Sequence, residues 1–363
     1  MKNLPLFYMA AGVWLAAAAG LTAQEAAVPA QPPQPAPTSQ PAYKPPPPTD
    51  VHIVGGGFGP AAPELLPGQG LAQHDFFYAG EGDGHHRMFI VRQGKVVWSY
   101  EDPDPRARGE ISDAMLLSNG NVLFAHQYGV TEITAEKKVV WNYDAPPGTE
   151  IHTAQAIGQE HVVFIRNGNP AKCLVVNTTS GATEKEFALP VGNTNANGIH
   201  AQFRHARLTG AGTLLVGHMD LRKIAEYDAS GKEVWSLAVP DVWMAAPLDN
   251  GNILMTREHT AVRELDRQGQ VVWELPRSDL TALGYQISGM QTASRLANGD
   301  TLINNWCPKG NGTAIQAFEV SADKKLVWAL RAWGEPVDLG PSTTIQVLDG
   351  PAAPEKVRFG EIQ

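Results

Sequence analysis

Two sets of side chains in this sequence are suited to anion binding and proton transfer. One is His126, Arg166, His218, Arg257 and Asn305. The other is Ser112, His152, Arg204, Trp243, Gln291 and Thr343. Arg offers a planar fork of donors that matches carboxylate, sulfate or phosphate. His gives or takes a proton near neutral pH. A ring of both would hold a small anionic ligand and could stabilise an oxyanion during acid/base or nucleophilic catalysis. The run Ile199-His200-Ala201-Gln202-Phe203-Arg204-His205 is the densest source of such groups. His152, His200, His205 and His218 are the catalytic candidates, although no diagnostic motif surrounds them. Three or four of them could also hold a divalent transition metal. No HExxH or similar fixed spacing occurs, so no metal is assigned. Trp243 and Trp306 suggest the alternative of saccharide binding without catalysis. The bland alternative pairs the cations with Glu81, Asp113, Asp220 and Glu258, which would make a satisfied polar lining.

These sets become columns only when the chain is laid over itself. Lys-Val-Val-Trp occurs at Lys95–Trp98 and Lys138–Trp141, with variants at Lys232–Trp235, Gln270–Trp273 and Lys325–Trp328. A repeat of roughly 40–45 residues ending in a Trp strand is the signature of a propeller blade. Each unit reads as strand A, a tight turn, strand B, a variable loop, strand C, a charged turn and strand D. Blade two is clearest: Ile111–Leu117, Val122–His126, Val130–Thr134 and Val139–Tyr143, with Asn119-Gly120 as the A–B turn. Asn-Gly between alternating apolar runs is a strong hairpin signal, because a type I′ turn needs two positive φ angles. Blade three runs from Ile151 to about Pro190, with Phe187 in place of Trp. Blade four spans about Ile199–Pro240, blade five Asp241–Pro276 and blade six Tyr285–Trp333. Phe76–Trp98 lacks an A strand, and Ser342–Leu348 is an A strand with nothing after it. Together they complete one blade. The expectation is an all-β, six-bladed β-propeller whose C-terminal strand closes the first blade and removes an open edge.

The columns then follow from strand direction. Ser112, His152, Arg204, Trp243, Gln291 and Thr343 stand where strand A enters, on one side of the strand. Two residues on, Ala114, Ala154, Ala206, Ala245 and Ala293 fit crowding near the axis. His126, Arg166, His218, Arg257 and Asn305 end strand B. Eight of the 11 His, namely His85, His86, His126, His152, His200, His205, His218 and His259, fall at the end bearing the D–A and B–C loops. Function concentrates on loops held by a rigid scaffold, so the ligand is expected in the central funnel at that end.

The motifs Gly231-Lys232-Glu233-Val234-Trp235 and Leu117-Ser118-Asn119-Gly120-Asn121 resemble those of the PQQ-like propellers. Within that group the chain resembles the six-bladed bacterial arylsulfotransferase-like proteins, from Asp75 to Asp349. The resemblance implies the fold, and a sulfotransferase-like site would need a His nucleophile flanked by His and Arg. It implies no quinone, and the cofactor is left unknown.

Composition bounds the rest. Charged residues are 18% of 363, with 36 Gly and 28 Pro, which suits short strands joined by turns. Net charge is −9 and no long Lys/Arg block occurs, so nucleic acid is excluded as a partner. Residues 1–23 read as a signal peptide, with Lys2, an apolar run from Leu4 to Ala19, and Leu21-Thr22-Ala23 before the cleavage point. Residues 24–73 read as a Pro-rich tether and irregular segment, 74–350 as the propeller and 351–363 as a C-terminal tail. A periplasmic, secreted or cell-surface monomer is expected. Its candidate partners are a small anionic or saccharide ligand and, if it is an assembly scaffold, an envelope protein. Cys173 and Cys307 fall in opposite blades and should remain free thiols.

Overall fold

The computed structural model describes residues 63–82, 85–104, 108–257, 260–309, 312–350 and 353–363. The expected signal peptide, the tether as far as residue 62, Glu258 and His259 lie outside the described residues. Among the described residues no helix is long and apolar enough to cross a membrane.

Six four-stranded antiparallel sheets form the blades of a β-propeller. In blade two the strands are Ile111–Leu116, Val122–His126, Gly129–Ile133 and Val139–Asp144, each bound within one residue of the sequence reading. Blade three begins with Glu150–Ile157 and His161–Asn167, and blade four with Phe203–Leu208 and Leu214–His218. Blade five begins with Met244–Pro247 and Ile253–Arg257, and blade six with Gly289–Arg295 and Thr301–Trp306. Blade one is assembled from both ends of the fold. Ser342–Val347 pairs antiparallel with Phe76–Gly82, placing Ile345 opposite Tyr78. Three connections depart from the repeat. A 3-10 turn at Ala196–Ala201 leads into blade four, a short helix at Arg277–Ala282 precedes blade six, and a two-stranded ribbon, Trp333–Gly334 with Val337–Asp338, precedes the closing strand.

The recurrent Trp now has a physical reason. Its apolar body packs between blades, and at three positions its indole N–H donates to the C–D turn of the next blade. Trp98 donates to Ala135 O at 2.7 Å, Trp235 to Arg267 O at 3.2 Å and Trp273 to Ala322 O at 3.0 Å. Trp328 packs against Phe76 of blade one, the next blade round the ring, but donates to Gly70 O at 2.9 Å in the segment before the first strand. The segment before strand one thus substitutes for a turn. It also caps the outer strand of blade six, where Ala329 N donates to Pro67 O. The Gly of the turn motif is required twice over at Gly231. Its φ is +85°, and a Cβ there would lie 2.5 Å from the Phe187 ring of blade three.

The strands that enter first are the inner ones. Ala114, Ala154, Ala206 and Ala245 are buried where neighbouring A strands come together. Thr153 Oγ1 accepts from Ala206 N at 3.1 Å, joining blades three and four. The last residues do more than trail off. Phe359 is fully buried against Phe187, and Glu355 accepts from Ser118 of blade two and Gln159 of blade three. The segment expected only as a tail therefore straps the A–B turns of blades two to four. Both cysteines are free and buried, and burial pushes the Cys307 thiol up to about 12.

Candidate functional site

Six blades each send one side chain to the axis at the D–A and B–C end. They are Glu81, Glu110, His152, Arg204, Trp243 and Trp306, and the loop residue His200 joins them. Arg204 is the hub. Its guanidinium donates to Glu110 Oε1 and to His200 Nε2, lies 3.1 Å from His152 Nδ1, and sits over the Trp243 ring at 5.1 Å. His152 is completely buried and spans two carboxylates, Glu110 at 2.9 Å from Nδ1 and Glu150 at 2.8 Å from Nε2. Ser112 Oγ donates to Glu110 at 3.0 Å. Glu150 Oε2 also accepts from His200 Nδ1 at 2.7 Å. Since Arg204 can only donate, His200 Nε2 is the acceptor and the ring proton faces Glu150. This His side chain is 39% exposed and closes the cluster on the solvent side.

The carboxyls divide in their electrostatics. Burial is the largest influence on Glu81, and the nearby Glu110 adds to it, so its carboxyl is pushed up to about 8. Trp306 Nε1 donates to Glu81 Oε1 at 3.0 Å, and Ile111 N to Oε2 at 3.0 Å. Burial also opposes charge on Glu110, but Arg204, His152 and His200 together outweigh it and hold that carboxyl well below the usual range. Burial is likewise overcome at Glu150, where hydrogen bonds from His152 and His200 hold the carboxyl down. One protonated and one ionised carboxyl therefore share a site with a guanidinium. Opposed pKa values in one site are the usual mark of an acid and a base. A cleft of about 190 Å³ lined by Glu81, His85, Arg87 and Lys309 runs from Glu81 toward the surface.

Of the sequence candidates, His152, His200, Arg204, Trp243 and Trp306 meet here. The strand-B column does not join them, because its side chains turn toward partners within and between blades; on strand B of blade six Asn305 and Trp306 point opposite ways. His126 packs against Thr131 and Arg108 at 3.1 and 3.2 Å, and burial, aided by Arg108, lowers its pKa to about 3. His218 bonds Tyr227 at 2.9 Å beside Phe203, and burial lowers it to about 3. Arg166 donates to Tyr143 and Arg257 to Asp241. Asn305 clips Ser288 N, Gln286 O and Ile315 O. The Gln291 carbonyl accepts from Thr256. His205 is turned the other way and lines a second cavity. Glu110 and Glu150 went unread. Each stands two residues before a column member, Ser112 and His152, so the same period of two could have found them.

Glu110, His152 and His200 also offer three metal-ligand atoms within 4.8 Å of one another. The donor set suits an imidazole-preferring divalent ion, but the Arg204 guanidinium stands among the same three atoms.

A family model described as outer membrane protein assembly factor BamB matches residues 192–319. The fold is a six-bladed β-propeller, and this partial match agrees with the resemblance to the PQQ-like propellers. A protein of unknown function from Bacteroides caccae is 25% identical with a TM-score of 0.63, over 75% of this chain and 97% of that one. A streptogramin B lyase is 12% identical with a TM-score of 0.49, over 76% and 88%. A catalytically inactive virginiamycin B lyase from Staphylococcus aureus, with quinupristin, is 14% identical with a TM-score of 0.49, over 73% and 88%. Likeness at the level of these two lyases says nothing of chemistry. Among curated proteins none matches.

Proposed function

We propose that the protein is an exported propeller that binds a small polyhydroxylated, saccharide-like ligand at the axial cluster and transfers protons on it, in the manner of a lyase or hydrolase. The observation that carries this is the convergence of Glu81, Glu110, His152 and Arg204 from four successive blades. Glu81 is the acid, held protonated by burial. Glu110 and His200 are the candidate bases, His200 being oriented by Glu150 as a base is oriented in a hydrolytic triad. Arg204 is the group that would stabilise a developing oxyanion. Trp243 and Trp306 flank the cluster and favour a ligand with apolar ring faces.

The geometry favours the saccharide over the purely anionic ligand suggested by the His and Arg columns. Arg204 is already matched by Glu110, so a free anion would have to displace a carboxylate. A weakly acidic or neutral polyol can instead use the donors and acceptors as they stand. Export rests on the signal-peptide reading of residues 1–23, and the match to an outer membrane assembly factor supports an envelope location. That match also favours a second reading, an assembly scaffold. Val97, Val140, Val234 and Val272 are 48–60% exposed on outer strands and would suit protein contacts.

The deciding experiment offers neutral disaccharides and uronate-containing oligosaccharides to the wild type and to Arg204→Ala. Calorimetry reads binding, and the ultraviolet absorbance of an unsaturated product reads elimination. Saturable binding lost in Arg204→Ala supports the site. Absence of binding across the panel would favour the scaffold.

A further inference from the structure

The opposite end of the axis carries a well that the acid–base cluster does not use. It has a volume of about 790 Å³ and is walled by all six blades, from Asp113 of blade two round to Thr344 of blade one. Its mouth lies among the A–B turns, where Leu248 and Asn250 of blade five meet Ala297 of blade six. The C-terminal strap leaves that sector open. Its contacts are with Ser118, Gln159 and Gly212, on blades two to four. Cavities of roughly 300–1,000 Å³ with mainly apolar walls and a few polar groups are the usual form of small-molecule sites.

The wall chemistry selects the occupant. Its cations are already matched. Arg207 grips Asp113 with two bonds of 2.7 Å, and Arg295 bonds Glu264 at 2.8 Å. A charged ligand would have to break one of these pairs, leaving its buried partner uncompensated. Apart from the exposed Asp249 by the mouth, the uncommitted groups are neutral. Asn304 is 2% exposed and its Nδ2 has no partner; His205 is 3% exposed and its Nδ1 has none. Buried polar atoms of that kind are rare and point to a missing partner. Met244, Leu254, Leu302 and Ile345 supply apolar surface. Among the described residues no Phe, Tyr or Trp lines the well, so the stacking platform a sugar ring prefers is missing.

We infer that this well is a second ligand site, separate from the acid–base cluster, and that it takes an uncharged amphipathic small molecule with an aliphatic or aromatic body and one or two hydrogen-bonding groups. Asn304 and His205 mark the polar end of the well and the blade five and six turns its entrance.

A matched pair of fluorescent probes tests it. N-phenyl-1-naphthylamine is neutral, and 1-anilinonaphthalene-8-sulfonate has the same aromatic frame with a negative charge. The neutral probe should bind saturably to the wild type, and the anionic one at least about tenfold more weakly. Ala246→Trp and Thr344→Phe each fill the well from a partly exposed position and should each weaken the neutral probe by about tenfold or more. Arg204→Ala, at the other end, should leave it unchanged, so this result stands or falls independently of the acid–base reading. Circular dichroism checks that each variant is folded; if one is not, the other carries the test. The inference is overturned if the neutral probe does not saturate, if the anionic probe binds as well, or if a folded filling variant binds like the wild type.

Discussion

Glu81 makes the sharpest test at the level of single residues. Its carboxyl is raised from an ordinary 4.5 to about 8, chiefly by burial. The folded state therefore holds a proton that the unfolded chain gives up. The stability contributed by that proton is complete below 4.5 and is lost as pH rises through about 8. Glu81→Gln keeps the shape and cannot ionise. The stability of the wild type relative to this variant should fall across that window, by at most roughly 1.4 kcal/mol per pH unit. Urea unfolding of both proteins at several pH values measures it, and parallel profiles would show that Glu81 is ionised in the fold. A second comparison separates the histidines. His218→Ala removes a fully buried ring bonded to Tyr227 and should cost roughly 2 kcal/mol or more while leaving ligand binding intact. His200→Ala, at the exposed edge of the cluster, should do the reverse. If His218→Ala abolished binding in a folded protein, the division between axial and packing residues would be wrong. Part of this site was legible in the sequence. Strand direction put His152, Arg204 and Trp243 on one inner face, and the structure brings them together. Chemical likeness misled at His126, Arg166, His218 and Arg257, because a column of similar residues need not face the axis. Turned away from the axis, the same residue types meet Tyr143, Tyr227, Thr131 and Asp241 instead. Glu110 and Glu150 belong to no column of cations, because their part is to position the cations two residues on and across the axis.

Individual blades explain why so much of the architecture was readable. Every D strand must present an aromatic to the next blade, and every A–B or C–D turn must fit a neighbour, so both recur at a fixed period. Phe187 shows the rule by exception. It has no indole N–H to donate, and its ring is covered instead by Phe359 and by the turn at Gly231. Connections that belong to one place, such as the Ala196–Ala201 turn or the Trp333–Asp338 ribbon, have no second copy to be aligned with. The latch itself can be tested. Trp235→Phe keeps most of the apolar packing and deletes the bond to Arg267 O. It should cost about 1 kcal/mol, and Arg267, which now lies 3.9 Å over the indole, would lose part of its contact as well. Equal denaturant midpoints for Trp235→Phe and the wild type would mean that the Trp repeat is conserved along this chain by packing alone.

At the scale of the whole molecule the ring is closed twice. The first closure is the pairing of Ser342–Val347 with Phe76–Gly82, which the incomplete repeats at the two ends of the fold already demanded. The second is the strap formed by residues 353–363, which no periodicity announced because it occurs once and packs through single anchors. Phe359 is fully buried among residues of blades three and four, while Glu355 reaches back to blades two and three. These closures should have separable effects. Phe359→Ala removes a buried aromatic and should cost about 3–5 kcal/mol, yet the closing strand remains and the ring should unfold as one cooperative unit. Ending the chain after Asp349 should cost at least as much and preserve that cooperativity. Ending it after Pro336 also deletes the inner strand of blade one and exposes the apolar face around Phe76 and Tyr78, now fully buried. An opened ring should unfold with a lower denaturant slope, since it buries less surface in the folded state. Tryptophan fluorescence and circular dichroism followed through the same urea titration distinguish the cases. If the protein ending at Asp349 unfolds at the wild-type midpoint, the strap is ornamental. If the protein ending at Pro336 keeps the full slope, closure by the C-terminal strand is not what holds the six blades together.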